Sequence, residues 1–118
     1  MRGILALGVL LLGLVGPVNA FCHVGRWSVH WDSEALAQME TDGAPCRINV
    51  SWTGNTSEIH SLRVLAVPRS GSASVQGHGV LYRPRGGFKG EDSFAFTLYG
   101  RKAGAPQHAL IRVDVTVR

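Results

Sequence analysis

The sequence predicts an all-β protein, an antiparallel sandwich of about seven short strands. Three observations carry that expectation. Apolar and polar residues alternate in several short runs, most cleanly near the C-terminus, where Ala109, Ile111, Val113, Val115 and Val117 alternate with Arg112, Asp114, Thr116 and Arg118. That is the period of a strand with one wet face. Turn-forming clusters such as Thr41-Asp42-Gly43, Pro68-Arg69-Ser70-Gly71 and the glycine-rich stretch from Pro84 to Glu91 separate the runs, as in sandwiches built from short strands. Beyond the first twenty residues only Ser33 to Met39 admits a helix, and there Ala35, Ala37 and Met39 also alternate, which favours a strand among strands.

The chain begins with Met1-Arg2, an apolar run from Ile4 to Val15, the breaker Gly16-Pro17 and the small-residue ending Val18-Asn19-Ala20. These are the regions of a secretory signal peptide, and the run is shorter than the roughly 20 apolar residues that span a bilayer. The expected organisation is a signal peptide at residues 1–20, cleaved after Ala20, and a single domain at residues 21–118. Phe21 stands between Ala20 and Cys22, so the cysteine that lipidation needs directly after the small residue is displaced. The expected location is the periplasm or the cell exterior, with no membrane insertion after cleavage.

Removing residues 1–20 from the 118-residue chain leaves 98 residues, a size that buries only about two-thirds of its unfolded surface and benefits from covalent support. Cys22 and Cys46 are the only cysteines. In an oxidising compartment one disulfide between them is the economical reading. With no Cys-x-x-Cys pair and no histidine at ligand spacing, the sequence implies no metal and no cofactor. Loss of Arg2 lowers the formal charge from +4 to +3, a modest excess that favours acidic partners without specifying one.

In order along the chain, Val24 to Trp31 is aromatic and β-branched, predicting a strand with Trp27, Val29 and Trp31 on one face. Cys46, Ile48, Val50 and Trp52 share the core face of a second. Ile59 to Val67 is apolar on both faces, which predicts a central strand. Ser72 to Gln76 is a short polar strand, and Val80 to Arg83 leads into Pro84. Phe94, Phe96 and Leu98 share one face of the next strand. A turn region is expected from Gly100 to Pro106, before the final alternation.

Tyr82-x-Pro84 followed by Phe88-x-Gly90-x-Asp92-Ser93-Phe94-x-Phe96 resembles the hallmark of bacterial immunoglobulin-like and cadherin-like domains of secreted and surface proteins. The match is dense over residues 77–98 and looser from Leu62 to the last strand. The resemblance implies an immunoglobulin-like sandwich in which Tyr82, Phe94 and Phe96 plug the core, Gly90 permits a tight turn, and Asp92 and Ser93 satisfy loop amides. Members usually occur as tandem repeats, whereas this chain carries one unit. Its Gly100-Arg101-Lys102-Ala103-Gly104 segment also replaces the Asp-Gly-rich turn of many relatives, which argues against calcium, a cation that wants clustered carboxylates.

His30, Asp32 and Ser33 are sequence neighbours, and neighbours on a strand face opposite ways, so they form no nucleophile, base and orienter set. No Gly-x-Ser-x-Gly elbow is present. The five histidines, His23, His30, His60, His78 and His108, are scattered. The expectation is therefore a protein that is not an enzyme. Trp27 and Trp31 are candidates for stacking a sugar, although a small core wants them equally. Asn49-Val50-Ser51 and Asn55-Thr56-Ser57 match the glycosylation pattern, a match that arises often by chance.

Basic residues fall into two groups. In a sandwich of this kind Arg69, Arg83, Arg85 and Lys89 lie at one end, and Arg101 with Lys102 at the other. The four-residue end is the candidate for an anionic partner. Nucleic acid is not expected, since charge is the only feature in its favour. The sequence thus points to an exported, non-catalytic interaction module for a protein or cell-envelope component. The alternative is a protein that binds a carbohydrate or an anionic envelope polymer.

Overall fold

The structure, a computed structural model, describes residues 20–50 and 57–118. Eight strands form among them: β1 (Cys22–Val24), β2 (Glu34–Thr41), β3 (Cys46–Asn49), β4 (Ser57–Ala66), β5 (Gly71–Gln76), β6 (Gly79–Pro84), β7 (Gly90–Lys102) and β8 (Ala105–Val117). No helix occurs among the described residues, so none there is long and apolar enough to cross a membrane. The all-β expectation holds. Residues 1–19 of the predicted signal peptide, Ser51, Trp52 and Asn55-Thr56 lie outside the described residues.

β8 shows why the pattern builds a core. Ala109, Ile111, Val113, Val115 and Val117 are buried, while Arg112 and Asp114 are exposed. The strand pairs along its whole length with β7 and on its other side with β2. It is thus the middle of a five-stranded sheet ordered β1-β2-β8-β7-β4; a second sheet is ordered β3-β6-β5. Side chains of both sheets join one buried cluster, with Met39, Leu98 and Ile111 from the larger meeting Ile48, Val80 and Tyr82 from the smaller. The arrangement is sandwich-like. Tyr82 and Phe94 stack with centroids 5.8 Å apart, and Phe94 and Phe96 at 6.4 Å.

The disulfide joins Cys22 of β1 to Cys46 of β3, so it staples an edge of one sheet to an edge of the other. In the chain-entropy picture a loop of this length stabilises by about 3 kcal/mol. There are no free cysteines.

Four expectations need correction. The sheets are not wholly antiparallel: β2 runs parallel to β8, from Glu34 beside Leu110 to Thr41 beside Val117. Alternation is the same for either direction, so it could not tell them apart.

The predicted strand from Val24 to Trp31 is mostly absent. β1 covers only Cys22–Val24, and Gly25 makes one last bond to the Gln38 carbonyl at 2.9 Å. Beyond it Trp27, Val29 and Trp31 still turn inward, half-buried against the core, and Arg26, Ser28 and His30 outward. The alternation is real, but residues 25–31 form no strand.

β4 lies at an edge, not in the centre. Its second apolar row meets solvent, with Leu65 62% exposed and Val67, just beyond the strand, 75% exposed.

The expected turn from Gly100 to Pro106 is shorter than foreseen. β7 runs to Lys102, β8 restarts at Ala105, and Ala103 (φ 50°) and Gly104 (φ 82°) form the bend. Positive φ at both central residues is what a type I′ hairpin turn requires.

Candidate anion-binding loop end

Two connections meet at one end of the molecule: residues 67–70 between β4 and β5, and residues 85–89 between β6 and β7. A single carboxylate from the start of β7 ties the first of them to β6 and β7. Asp92 Oδ1 accepts the Arg69 and Ser93 amides at 3.0 and 2.9 Å. Its Oδ2 accepts the Ser70 amide at 3.0 Å and the Tyr82 hydroxyl at 2.9 Å. Bonds to an ionised acceptor are the stronger class, and this one spans three segments of chain. Burial raises the Tyr82 hydroxyl's pKa above its ordinary value, and the bond to Asp92 adds to the rise.

The two loops also bond directly. Arg85 donates its amide to the Ser70 carbonyl at 2.7 Å, and Phe88 closes its own turn onto the Arg85 carbonyl at 2.9 Å. Gly71 opens β5 so close to β6 that a Cβ there would collide with the Arg83 carbonyl oxygen. Only glycine lets the strands approach this closely. The loop backbone is therefore fixed from several directions.

On this backbone stand all four predicted cations. Arg69, Arg83, Arg85 and Lys89 are exposed, and among the described residues none has a carboxylate within ion-pair distance. Arg83 opposes Ser72 across the β5–β6 ladder, on the face opposite buried Tyr82. The Arg85 guanidinium lies 5.8 Å from the Phe88 ring centroid, a stacking contact that holds the group at the surface without neutralising it. Arg69 borders a shallow depression that also includes Glu91, Asp92, Ser93 and Asp114. The cationic surface thus has an acidic margin on one side.

Arg101 and Lys102 lie at the other end of β7, about 40 Å along the strand from Gly90. Arg101 donates to the Gly104 carbonyl at 2.8 Å, and Glu58 is its cross-strand neighbour. The sequence separated these two groups correctly.

Trp27 and Trp31 do not stand on a displayed sheet face. Both are half-buried against the core, and Trp31 covers Gly100, where a Cβ would come within 2.8 Å of its ring. The neighbouring polar residues have separate partners: Ser33 donates its hydroxyl to the His30 carbonyl at 2.5 Å, and Asp32 lies 3.7 Å from His108 Nδ1. No group of three metal-ligating side chains occurs among the described residues. Two features escaped the sequence reading. Arg47 reaches from β3 to the Gln76 carbonyl at 2.7 Å, and Asp42 holds the Phe21 amide. Both are long-range pairings with no local signal.

No protein-family model matches this chain, and no curated protein or solved structure does so either.

Proposed function

We propose that this chain is an exported, non-catalytic interaction module of the immunoglobulin-like or cadherin-like class, working in the periplasm or outside the cell. Its ligand is an anionic cell-envelope component, and it binds through Arg69, Arg83, Arg85 and Lys89. The observation that carries the reading is the Asp92 clamp, which ties the Arg69–Ser70 loop to β6 and β7, with the Arg85 amide bonded to the same loop, beside four exposed cations that have no carboxylate within ion-pair distance among the described residues. Cations on a prearranged backbone lose less freedom on binding than cations on a loose one.

The strand order supports the class. In the seven-stranded immunoglobulin sandwich, strands B, E and D neighbour one another in one sheet and C, F and G in the other. Here β3-β6-β5 and β4-β7-β8 have those positions in chain order, with β2 added beside β8. In that correspondence Tyr82, Phe94 and Phe96 are the core plugs of the motif that runs from Tyr82 to Phe96.

The test is co-sedimentation of the exported protein with isolated cell envelope and with phosphate- and carboxylate-bearing polymers. Binding should weaken as salt rises from 50 to 300 mM. The triple variant R83E/R85E/K89E should lose at least about tenfold in affinity, while R101E/K102E changes little. Absence of binding across the panel would sink the proposal.

A further inference from the structure

Asp42 bonds both backbone groups of Phe21. Thr41 and Asp42 open the turn between β2 and β3. The Thr41 hydroxyl donates to the Ala44 carbonyl at 2.6 Å and accepts the Gly43 amide at 3.2 Å. Asp42 Oδ1 accepts the Ala44 amide at 3.2 Å. That leaves Oδ2 pointing at the backbone nitrogen of Phe21, 3.0 Å away, while Asp42's own amide donates to the Phe21 carbonyl at 3.3 Å.

This pairing continues the β1–β2 ladder by one residue beyond Cys22 and Thr41, with one difference. An antiparallel ladder would satisfy the Phe21 amide with a backbone carbonyl. Here the acceptor is a carboxylate, a full negative charge where a neutral oxygen would serve. Phe21 is held in place independently: Cys22 is in the disulfide, the Arg118 guanidinium lies 5.4 Å from the Phe21 ring centroid, and the Arg118 amide donates to the Thr41 carbonyl at 2.9 Å. Ala20, the small residue that ends the leader-like segment, is exposed directly before it.

We infer that the Ala20–Phe21 bond is a processing site and that Asp42 binds the α-ammonium of Phe21 that cleavage creates. Hydrolysis by an endopeptidase that accepts small residues consumes one water, leaves a carboxylate on Ala20, and leaves an amine on Phe21 that takes up the proton. The neutral amide donor facing Asp42 becomes a cation, so a hydrogen bond becomes an ion pair. The other charged or titratable groups that contact Phe21 or its partners among the described residues include Arg118 over the ring, Glu40 paired with Arg118 at 2.9 Å, and His23, whose ring centroid is 6.5 Å from that of Phe21. Arg118 opposes the ammonium, but Glu40 offsets its charge. This inference is independent of the basic loop end.

An ammonium that gains a carboxylate in the folded state holds its proton more tightly there. Its contribution to stability is therefore present below the ordinary α-amino value near 8 and is lost as pH rises beyond it. The full 118-residue chain is expressed in an exporting bacterium, and the exported protein is sequenced from its amino terminus. The first residue should be Phe21. Thermal melting then compares that protein with one that retains Asn19 and Ala20, which displaces the ammonium but leaves Asp42 intact. The chain beginning at Phe21 should melt about 3 °C higher at pH 6.5. The difference should vanish at pH 10, and also when both chains carry Asp42→Asn. A different first residue would overturn the inference. So would equal melting at pH 6.5, or a difference that survives alkaline pH or Asp42→Asn.

Discussion

Exposed positive charge stands at both ends of β7, yet the two ends are built differently. At one end Asp92, Tyr82 and the amides of Arg69 and Ser70 form a clamp across three segments, and the cations beside it are exposed, with no carboxylate within ion-pair distance among the described residues. At the other, a two-residue bend joins β7 to β8 and Arg101 turns back onto its own hairpin carbonyl. Charge counting treats the two ends alike. The difference lies in what holds the backbone beneath the cations, because a loop already tied to neighbouring strands loses less on meeting a partner than one that must be ordered first.

The largest effect should come from breaking the clamp. Asp92→Ala removes the acceptor of four hydrogen bonds at once and leaves the Tyr82 hydroxyl without its partner. A loss of about 3 kcal/mol is expected, read as a fall of more than about 10 °C in melting temperature. Arg101→Ala with Lys102→Ala should stay within about 0.5 kcal/mol of the parent. Similar losses from both variants would show that the two ends do not differ in the way described.

A smaller, pH-dependent effect should come from Tyr82→Phe, which keeps the ring in the stack with Phe94 and deletes only the hydroxyl. About 1 kcal/mol should be lost near neutrality. The folded state raises the Tyr82 pKa through burial and through the bond to Asp92. Its proton is therefore held more tightly folded than unfolded, and this contribution is complete below about pH 10, the ordinary tyrosine value, and lost as pH rises above it. Denaturation midpoints measured from pH 8 to 11 should fall more steeply for the parent than for Tyr82→Phe. Parallel curves would mean that Tyr82 ionises as freely folded as unfolded.

The clamp was partly legible in the sequence. The resemblance to immunoglobulin-like domains implied that Asp92 and Ser93 bond loop amides, of which only Asp92 does so among the described residues, and the alternation of Phe94, Phe96 and Leu98 indicated which way they face. That Asp92 reaches Arg69 and Ser70, more than twenty residues away, was not legible, because alternation names a face and not a neighbour. The same limit explains the misplacement of β4. Leu65 and Val67 made both faces of that run apolar, which suits a buried strand, but nothing covers them among the described residues. Trp27, Val29 and Trp31 show the converse: an inward-facing row with the right period that is not itself a strand. The parallel register of β2 on β8 depends on tertiary placement alone. Asp42 and Phe21 pair across 21 positions, likewise with no local signal.

The smallest expected effect tests the far hairpin. Ala103 holds φ 50° in a turn whose second central residue, Gly104, is at φ 82°. A left-handed conformation costs a residue with a Cβ roughly 1–2 kcal/mol. Glycine avoids that cost but gives up part of the gain through greater freedom in the unfolded chain. Ala103→Gly should therefore stabilise by about 0.5 kcal/mol, seen as a higher denaturant midpoint with unchanged slope. Ala103→Asn should do at least as well, since Asn-Gly is a preferred pair for this turn. Neither substitution alters a charge, and both favour the bend that positions Arg101. If envelope binding is the same in Ala103→Asn as in the parent, the order of this hairpin is not what the partner reads, and the contrast between the ends stands. If binding strengthens, Arg101 and Lys102 belong to the contact surface, and the advantage assigned to the Asp92 clamp must be shared between both ends.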